Sequence, residues 1–341
     1  MIAIIGSLAL VGVVSFLLWM GFADSGDFAG HPMTTWVPKS DNASLVHGVY
    51  QLIFILAGAV FVGIMALTLI FSLLYRERPG GEARQFHGNS RLEVVWTLIP
   101  VLIVVAMAVP TFSTMSVTSK PAPDNALKVV AIGHQWWWEF QYPELGITTA
   151  NELYLPVNRP VSVALQSSDV IHSFWVPQLS GKIDNVPGHE NHLWFTPTEA
   201  RAEPYLGQCA EFCGLSHANM RFRVFVASTG DFEAWAKSAA GDRTAPTADL
   251  AKAGEQQFVA SGCVACHTVK GQAGAAGKIG PDLSHFAART TLASGTLDRT
   301  PANIRKWLSN PQAVKPGVLM PNLNLSPEAL DKLVAYLDGL K

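Results

Sequence analysis

Charge-free apolar stretches fill the first third of the chain, short alternating runs the middle, and amphipathic helical patterns the end. From Ile2 to Ala23 no charge appears before Asp24, a length that suits one bilayer crossing of about 20 residues. Two readings fit this segment, 1–23: an extra transmembrane helix or a signal peptide. Gly21-Phe22-Ala23 has the small-x-small form of a cleavage site, but no Lys or Arg precedes the run. Val49 to Tyr75 is again free of charge and too long for an ordinary buried helix, so it predicts a membrane span. Leu92 to Val117 predicts a second span containing Pro100 and Pro110. Membrane helices tolerate proline because neighbouring groups re-satisfy the freed carbonyls. The pair makes a helical hairpin over 48–117.

Past the hairpin the period shortens. Lys128 to Ile132, Glu152 to Val157, Val161 to Gln166, His192 to Phe195 and Phe222 to Ala227 read as short strands separated by Pro, Gly and Asn. That spacing predicts an all-β sandwich over 118–238. The small, polar and aperiodic stretch Ala239 to Thr247 predicts a linker, 239–247. Residues 248–341 then predict an all-α domain, with helices before Cys263, from Pro301 to Ser309, and from Ala329 to Leu337 after the cap Ser326-Pro327-Glu328. The expected fold class is thus membrane-anchored and multidomain: helical hairpin, β-sandwich, helical domain.

Composition supports the anchor. Apolar residues make up 49% of the 341 positions and charged residues only 15%, with a net charge of -2 that gives no signature of nucleic-acid binding. The loop between the spans carries Arg76, Arg78, Arg84 and Arg91. By the positive-inside rule this loop is cytoplasmic, which puts everything after Val117 on the outer face of a bacterial-type membrane, with two or more passes through the lipid.

The four cysteines form two local pairs, each beside a histidine. Cys263-Val264-Ala265-Cys266-His267 is a C-x-x-C-H motif, the attachment site of a covalent haem c: both thiols add to the porphyrin while the adjacent histidine reaches the iron. Met320 is the sole methionine of this domain and the favoured sixth ligand, with His285 as competitor. Gly280-Pro281-Asp282-Leu283 predicts the turn that packs on the histidine. The second pair lies in Gly207 to Met220, where Cys209, Cys213, His217 and Met220 set soft donors at short spacing, a set that suits copper. One copper centre of the blue type needs a single Cys and two His; two thiols can bridge two coppers, each wanting its own imidazole. The loop supplies one imidazole; Ser168 to Phe174 offers His172, at the end of a strand, as the other, with His134, His189 and His192 as competitors. A structural disulfide is the competing reading.

Two further groups have plain and sharp readings. Glu93 at the start of the second span is an interfacial carboxylate at a helix N-terminus or the mouth of a proton pathway. The aromatic run Gly133-His134-Gln135-Trp136-Trp137-Trp138-Glu139-Phe140 is a core or interface cluster or an electron-accepting surface.

Ser168 to Phe174, Asp184 to Gly188, Gly207 to Met220 and Gly133 to Trp138 together resemble subunit II of the haem-copper cytochrome c oxidases, and the helical domain resembles the fused cytochrome c of the caa type. The resemblance implies a cupredoxin-like domain with a binuclear copper centre, CuA. Its ligands would be Cys209 and Cys213 as bridges, His172, His217, Met220 and the backbone carbonyl of Glu211. It implies that the Glu211 side chain reaches a magnesium ion shared with subunit I, that Glu93 opens a proton pathway, and that electrons arrive through Trp136. The implied function is electron delivery, from an external donor through haem c and CuA to subunit I of a proton-pumping terminal oxidase, with subunit III as a further partner and membrane lipid around the hairpin. The alternatives are the equivalent subunit of a CuA-type nitric oxide reductase and a free-standing membrane-anchored electron carrier.

Overall fold

The computed structural model describes residues 12, 31–76 and 87–341. The apolar segment 1–23, apart from residue 12, and two of the four loop arginines, Arg78 and Arg84, lie outside the described residues. Two units follow from the contacts within the chain, and they are described separately.

The first unit holds two helices, α1 (Asp41–Leu74) and α2 (Ser90–Thr118), 34 and 29 residues long. At 1.5 Å per residue each exceeds the roughly 30 Å of a bilayer core. Both are longer than the spans expected from sequence, because Asp41 and Ser90 open helices whose apolar stretches begin further along the chain. Asn89 caps α2, its Oδ1 accepting the N–H groups of Arg91 and Leu92 at 3.1 and 3.3 Å. Pro100 and Pro110 sit inside α2, and Glu93 occupies its first turn, where the helix dipole favours a carboxylate.

The second unit begins with a β-sandwich of ten strands: β1 (Leu127–His134), β2 (Trp137–Tyr142), β3 (Ile147–Ala150), β4 (Glu152–Pro156), β5 (Val161–Ser167), β6 (His172–Trp175), β7 (Ile183–Asn185), β8 (Asn191–Phe195), β9 (Tyr205–Cys209) and β10 (Arg221–Ala227). They form two five-stranded sheets, ordered β3-β2-β1-β5-β8 and β4-β10-β9-β6-β7. Within them β1 runs parallel to β5 and β10 parallel to β4. Alternate residues of β1, β5 and β10 point inward, as period-two patterning requires. Between the sheets Trp138, Phe140, Phe174 and Phe222 are fully buried, with ring centroids 5.0 Å apart for Phe174 and Phe222 and 5.9 Å for Trp138 and Phe174. Each such side chain contributes about 1.5–3 kcal/mol by leaving water. Gly207 admits the Phe222 ring against its Cα, where any Cβ would collide.

A helix not foreseen in the sequence, α3 (Thr229–Ala240), follows the last strand. Ser228 caps it, and Trp235 stacks on Tyr154 with centroids 4.5 Å apart. The helix runs two residues into the stretch 239–247 read as a linker. The rest of that stretch is strapped down: the Thr244 amide donates to the Lys341 carbonyl at 2.9 Å, and Arg243 pairs with Glu255. Small polar residues suggested freedom here, but backbone and side-chain groups of the stretch are held by the following domain.

That domain contains α4 (Asp249–Ala260), a two-stranded ribbon of β11 (Thr291–Leu292) and β12 (Leu297–Asp298), α5 (Pro301–Ser309), the single turn α6 (Pro311–Val314) and α7 (Pro327–Asp338). Gly254 on α4 lets the helix close on the Lys332 carbonyl and Tyr336 of α7. Phe258, Ile304, Leu333 and Tyr336 fill the core. The ribbon was not expected from the sequence.

Candidate metal and haem centres

The copper-like loop joins β9 to β10. Its base is closed by the amide of Cys209, which donates to the Met220 carbonyl at 2.9 Å. Gly214 turns the loop at φ +113, in a region that favours glycine, and a 3₁₀ turn over His217–Asn219 brings the chain back. β6 pairs antiparallel with β9 in the register Phe174↔Cys209, so His172 arrives beside the loop from 37 residues upstream.

Six donor atoms converge. The Sγ atoms of Cys209 and Cys213 lie 3.8 Å apart, far beyond the about 2.05 Å of a disulfide, and both thiols are free. His172 Nδ1 is 3.9 Å from Cys209 Sγ, and His217 Nδ1 is 3.5 Å from Cys213 Sγ. Met220 Sδ is 3.8 Å from Cys213 Sγ, and the Glu211 carbonyl oxygen lies 3.2 Å from Cys209 Sγ. His172, Cys209, Cys213 and Met220 are all buried, while Glu211 is exposed.

The electrostatics of the pair call for a cation. The contact with the Cys213 thiol, opposed by burial, pulls the Cys209 thiol well below its ordinary range, and the same contact with Cys209 pushes Cys213 up. Two thiols this close hold one negative charge between them, because a second would face the first in a dry site. Bound metal ions remove that conflict, so the donor set fits copper. His172 is oriented for ligation. Its Nε2–H donates to Asp169 Oδ1 at 2.7 Å, which leaves Nδ1 with its lone pair toward the thiols. Asp169 also accepts from the amides of Gln135 and Val170, each at 2.7 Å. Burial opposes ionisation of Asp169, but these bonds, His172's first, hold its carboxyl below the ordinary range. Gly133 completes the fit, since a Cβ there would stand 2.5 Å from the His172 ring.

The other histidines lie elsewhere. His134 stacks on Trp137 and meets Ser168, and His192 pairs with Glu190 at the surface.

In the helical domain a cleft of about 230 Å³ is lined by Cys263, Cys266, His267 and Met320. His267 Nδ1–H donates to the Pro281 carbonyl at 2.8 Å, which leaves Nε2 as the ring's free donor to iron in the cleft. Burial lowers the pKa of His267, keeping the ring neutral as iron ligation requires. Gly280 carries the backbone against the ring: a Cβ there would lie 2.5 Å from Cε1. The residues therefore fit a haem. His285 is not among the lining residues; its Nε2 is 3.1 Å from the Gly241 carbonyl.

Trp136 belongs to both places. Its indole Nε1–H donates to the Cys213 carbonyl at 3.0 Å, Gln135 Nε2 donates to the same oxygen at 2.7 Å, and Trp136 lines the haem cleft. Of the aromatic run, Trp136 and Trp138 both belong to the buried core, and Trp136 also lines the cleft.

A sequence profile of the transmembrane domain of cytochrome c oxidase subunit II matches residues 38–114, its periplasmic-domain profile matches 146–227, and a cytochrome c profile matches 251–341. Over 317 residues the chain is 37% identical to cytochrome c oxidase subunit 2 of Alkalihalophilus pseudofirmus, covering 91% of each chain. The chain belongs to the cytochrome c oxidase subunit 2 family. It shares 36% identity over 275 residues with subunit 2 of Bacillus subtilis, 76% of this chain and 77% of that one. The crystal structure of the periplasmic domain of subunit II from Bradyrhizobium japonicum aligns with 34% of this chain and 95% of that chain at 32% identity and a TM-score of 0.33. As a subunit 2 with a cytochrome c domain at its C-terminal end, the chain is an electron-transferring part of an oxygen-reducing complex and a partner of subunit I. The family implies copper in the sandwich and haem c in the helical domain, with the sandwich on the outer face of the membrane that the two apolar helices anchor it to.

Several functional positions lay hidden in the sequence. Asp169 sits three residues before His172 and Gln135 beside Trp136, yet neither spacing announces its hydrogen bond. Gly133 is explained only by the ring it admits.

Proposed function

We propose that this chain accepts electrons at a covalent haem c held by Cys263, Cys266, His267 and Met320, and delivers them through a binuclear CuA centre to subunit I. The observation that carries the reading is the doubling of the donor set: two thiols 3.8 Å apart, each with its own imidazole nitrogen within 3.9 Å. A single metal needs no second thiolate–imidazole pair. When bound, the haem and the copper pair supply one-electron couples between which charge moves with little change of geometry.

The protein's own part is to hold these groups still. Cys209, Cys213, His172, His217, Met220 and the Glu211 carbonyl would hold the coppers, whose chemistry there would be one-electron transfer. Asp169 fixes the tautomer of His172, as the Pro281 carbonyl fixes that of His267. Trp136 spans the gap, lining the cleft at one side and hydrogen-bonded to a ligand's backbone at the other. The exposed Glu211 carboxylate is free to meet a magnesium ion at the boundary with subunit I, and Glu93 in the first turn of α2 offers an ionisable group for proton uptake. Proton pumping, a subunit III and an external donor complete the assembly on this reading.

The test is metal analysis with electron paramagnetic resonance on the full chain. Two coppers and one haem iron per chain with a mixed-valence copper signal are expected; one copper or none overturns the assignment.

A further inference from the structure

The Trp136 face is covered by the chain's own C-terminal domain. Trp136 is 7% exposed, and Gly317 of that domain lies on its ring: at φ +84, its missing Cβ would stand 2.9 Å from Cη2. The backbone carbonyl of Trp136 takes two hydrogen bonds from the same domain, from Lys315 Nζ at 2.5 Å and from Ser294 Oγ at 2.8 Å. Ser294 returns a third contact, its carbonyl accepting the Arg221 amide at 3.2 Å.

Lys315 is the unusual member. It is 2% exposed, and among the described residues no carboxylate pairs with it; the Trp136 carbonyl and, at 3.4 Å, the Ala293 carbonyl are its acceptors. An ammonium buried without a counter-charge is unfavourable unless its geometry is well satisfied. A lysine placed so is worth little to the helical domain alone, because its main acceptor belongs to the sandwich. Glu152 of β4 makes the reciprocal contact, its carboxylate accepting the Thr290 and Thr291 amides at 2.6 and 3.2 Å.

We propose that Lys315 and Ser294 are positioning residues that latch the C-terminal domain onto Trp136 and hold the chain's own haem site against this face. The proposal rests on the function proposed above but concerns the contact itself.

The test is hydrogen–deuterium exchange on the full-length, haem-loaded chain in detergent, comparing the parent with Lys315→Met and Ser294→Ala. Peptides covering 133–138 and 290–295 are expected to exchange about tenfold faster in Lys315→Met and about threefold faster in Ser294→Ala, while 161–167 in the sandwich core is unchanged. Unchanged exchange at both segments in both variants overturns the latch. If Lys315→Met also loosens 161–167, Ser294→Ala decides: faster exchange confined to the two segments supports the latch, and unchanged exchange overturns it. Copper content is measured on the same samples, so a missing copper pair defeats the proposed function without touching the exchange result. A role beyond folding is read from intramolecular haem-to-copper transfer after flash reduction. Its rate is expected to be independent of glycerol in the parent and to fall with viscosity in Lys315→Met; viscosity independence in a variant that exchanges faster overturns the positioning role.

Discussion

Asp169→Asn isolates the support of the copper site from the ligands themselves. The side chain keeps its shape, but one of its two acceptor oxygens becomes a donor. Asp169 accepts three N–H groups, from His172, Gln135 and Val170, all at 2.7 Å. With the amide oxygen kept toward His172 and Val170, the new NH₂ group faces the Gln135 amide and leaves that donor without a partner. The His172 bond also falls from a charged to a neutral one, from about 1.5–3 to about 0.5–1.5 kcal/mol. Asp169 is partly exposed, so water recovers some of the loss at Gln135. Those losses fall on the folded chain with or without copper; copper binding senses the weaker orientation of His172, and losing a ligand's outer hydrogen bond costs about ten- to a hundredfold in affinity, or about 1.4–2.8 kcal/mol. The assay is competition for copper against a chromophoric chelator, using the full chain with its haem intact. Glu190→Gln, which alters the exposed pair with His192, serves as the control and should bind copper as the parent does. An affinity within twofold of the parent for Asp169→Asn would refute the claim that this carboxylate orients His172.

Three further outcomes follow from the geometry. Gly280→Ala should push the His267 ring away from the Pro281 carbonyl, at about 1–3 kcal/mol for overpacking, and appear as a shifted haem potential and a lower midpoint of thermal unfolding; an unchanged absorption spectrum and potential would count against the close approach. Met320→Leu should open the sixth position and lower the haem potential, read by redox titration and carbon monoxide binding, whereas an unaltered spectrum would return His285 to candidacy. Glu93→Gln should slow proton uptake by the assembled oxidase at least about tenfold while leaving reduction of the copper centre intact, measured by stopped flow with a pH dye; normal uptake would leave Glu93 as a helix-terminal carboxylate.

Local chemistry was legible in the sequence and long-range geometry was not. C-x-x-C-H and the loop from Gly207 to Met220 declare themselves because their donors lie within a few residues of one another. The strands that begin near Lys128, Glu152, Val161, His192 and Phe222 stand out as short β-rich runs between turn residues, five of the ten strands. β6 and β7 were missed because at four and three residues they are too short to display a period. His172 is favoured in the sequence by its place at the end of a strand, but what brings it rather than His134, His189 or His192 to the loop is β6 pairing with β9, a register set by the whole sandwich. Lys315 is the extreme case: its partner is 179 residues away, and a lysine in a polar stretch carries no sign of burial. The strapped stretch after α3 shows the same limit, since small polar residues read as slack until the domain that binds them is in view.

That stretch also bears on kinetics. Only Gly241 and Asp242 separate the end of α3 from Arg243, which is already tied to the helical domain by its ion pair with Glu255. So short a tether presents one domain to the other at an effective concentration of at least about millimolar. An interface with a dissociation constant of about 1 mM, far too weak to hold two separate proteins together at cellular levels, would then be at least half closed. Its contacts are free to be few and polar, and on the proposed function the transfer from haem to copper becomes a unimolecular event whose rate does not change when the complex is diluted.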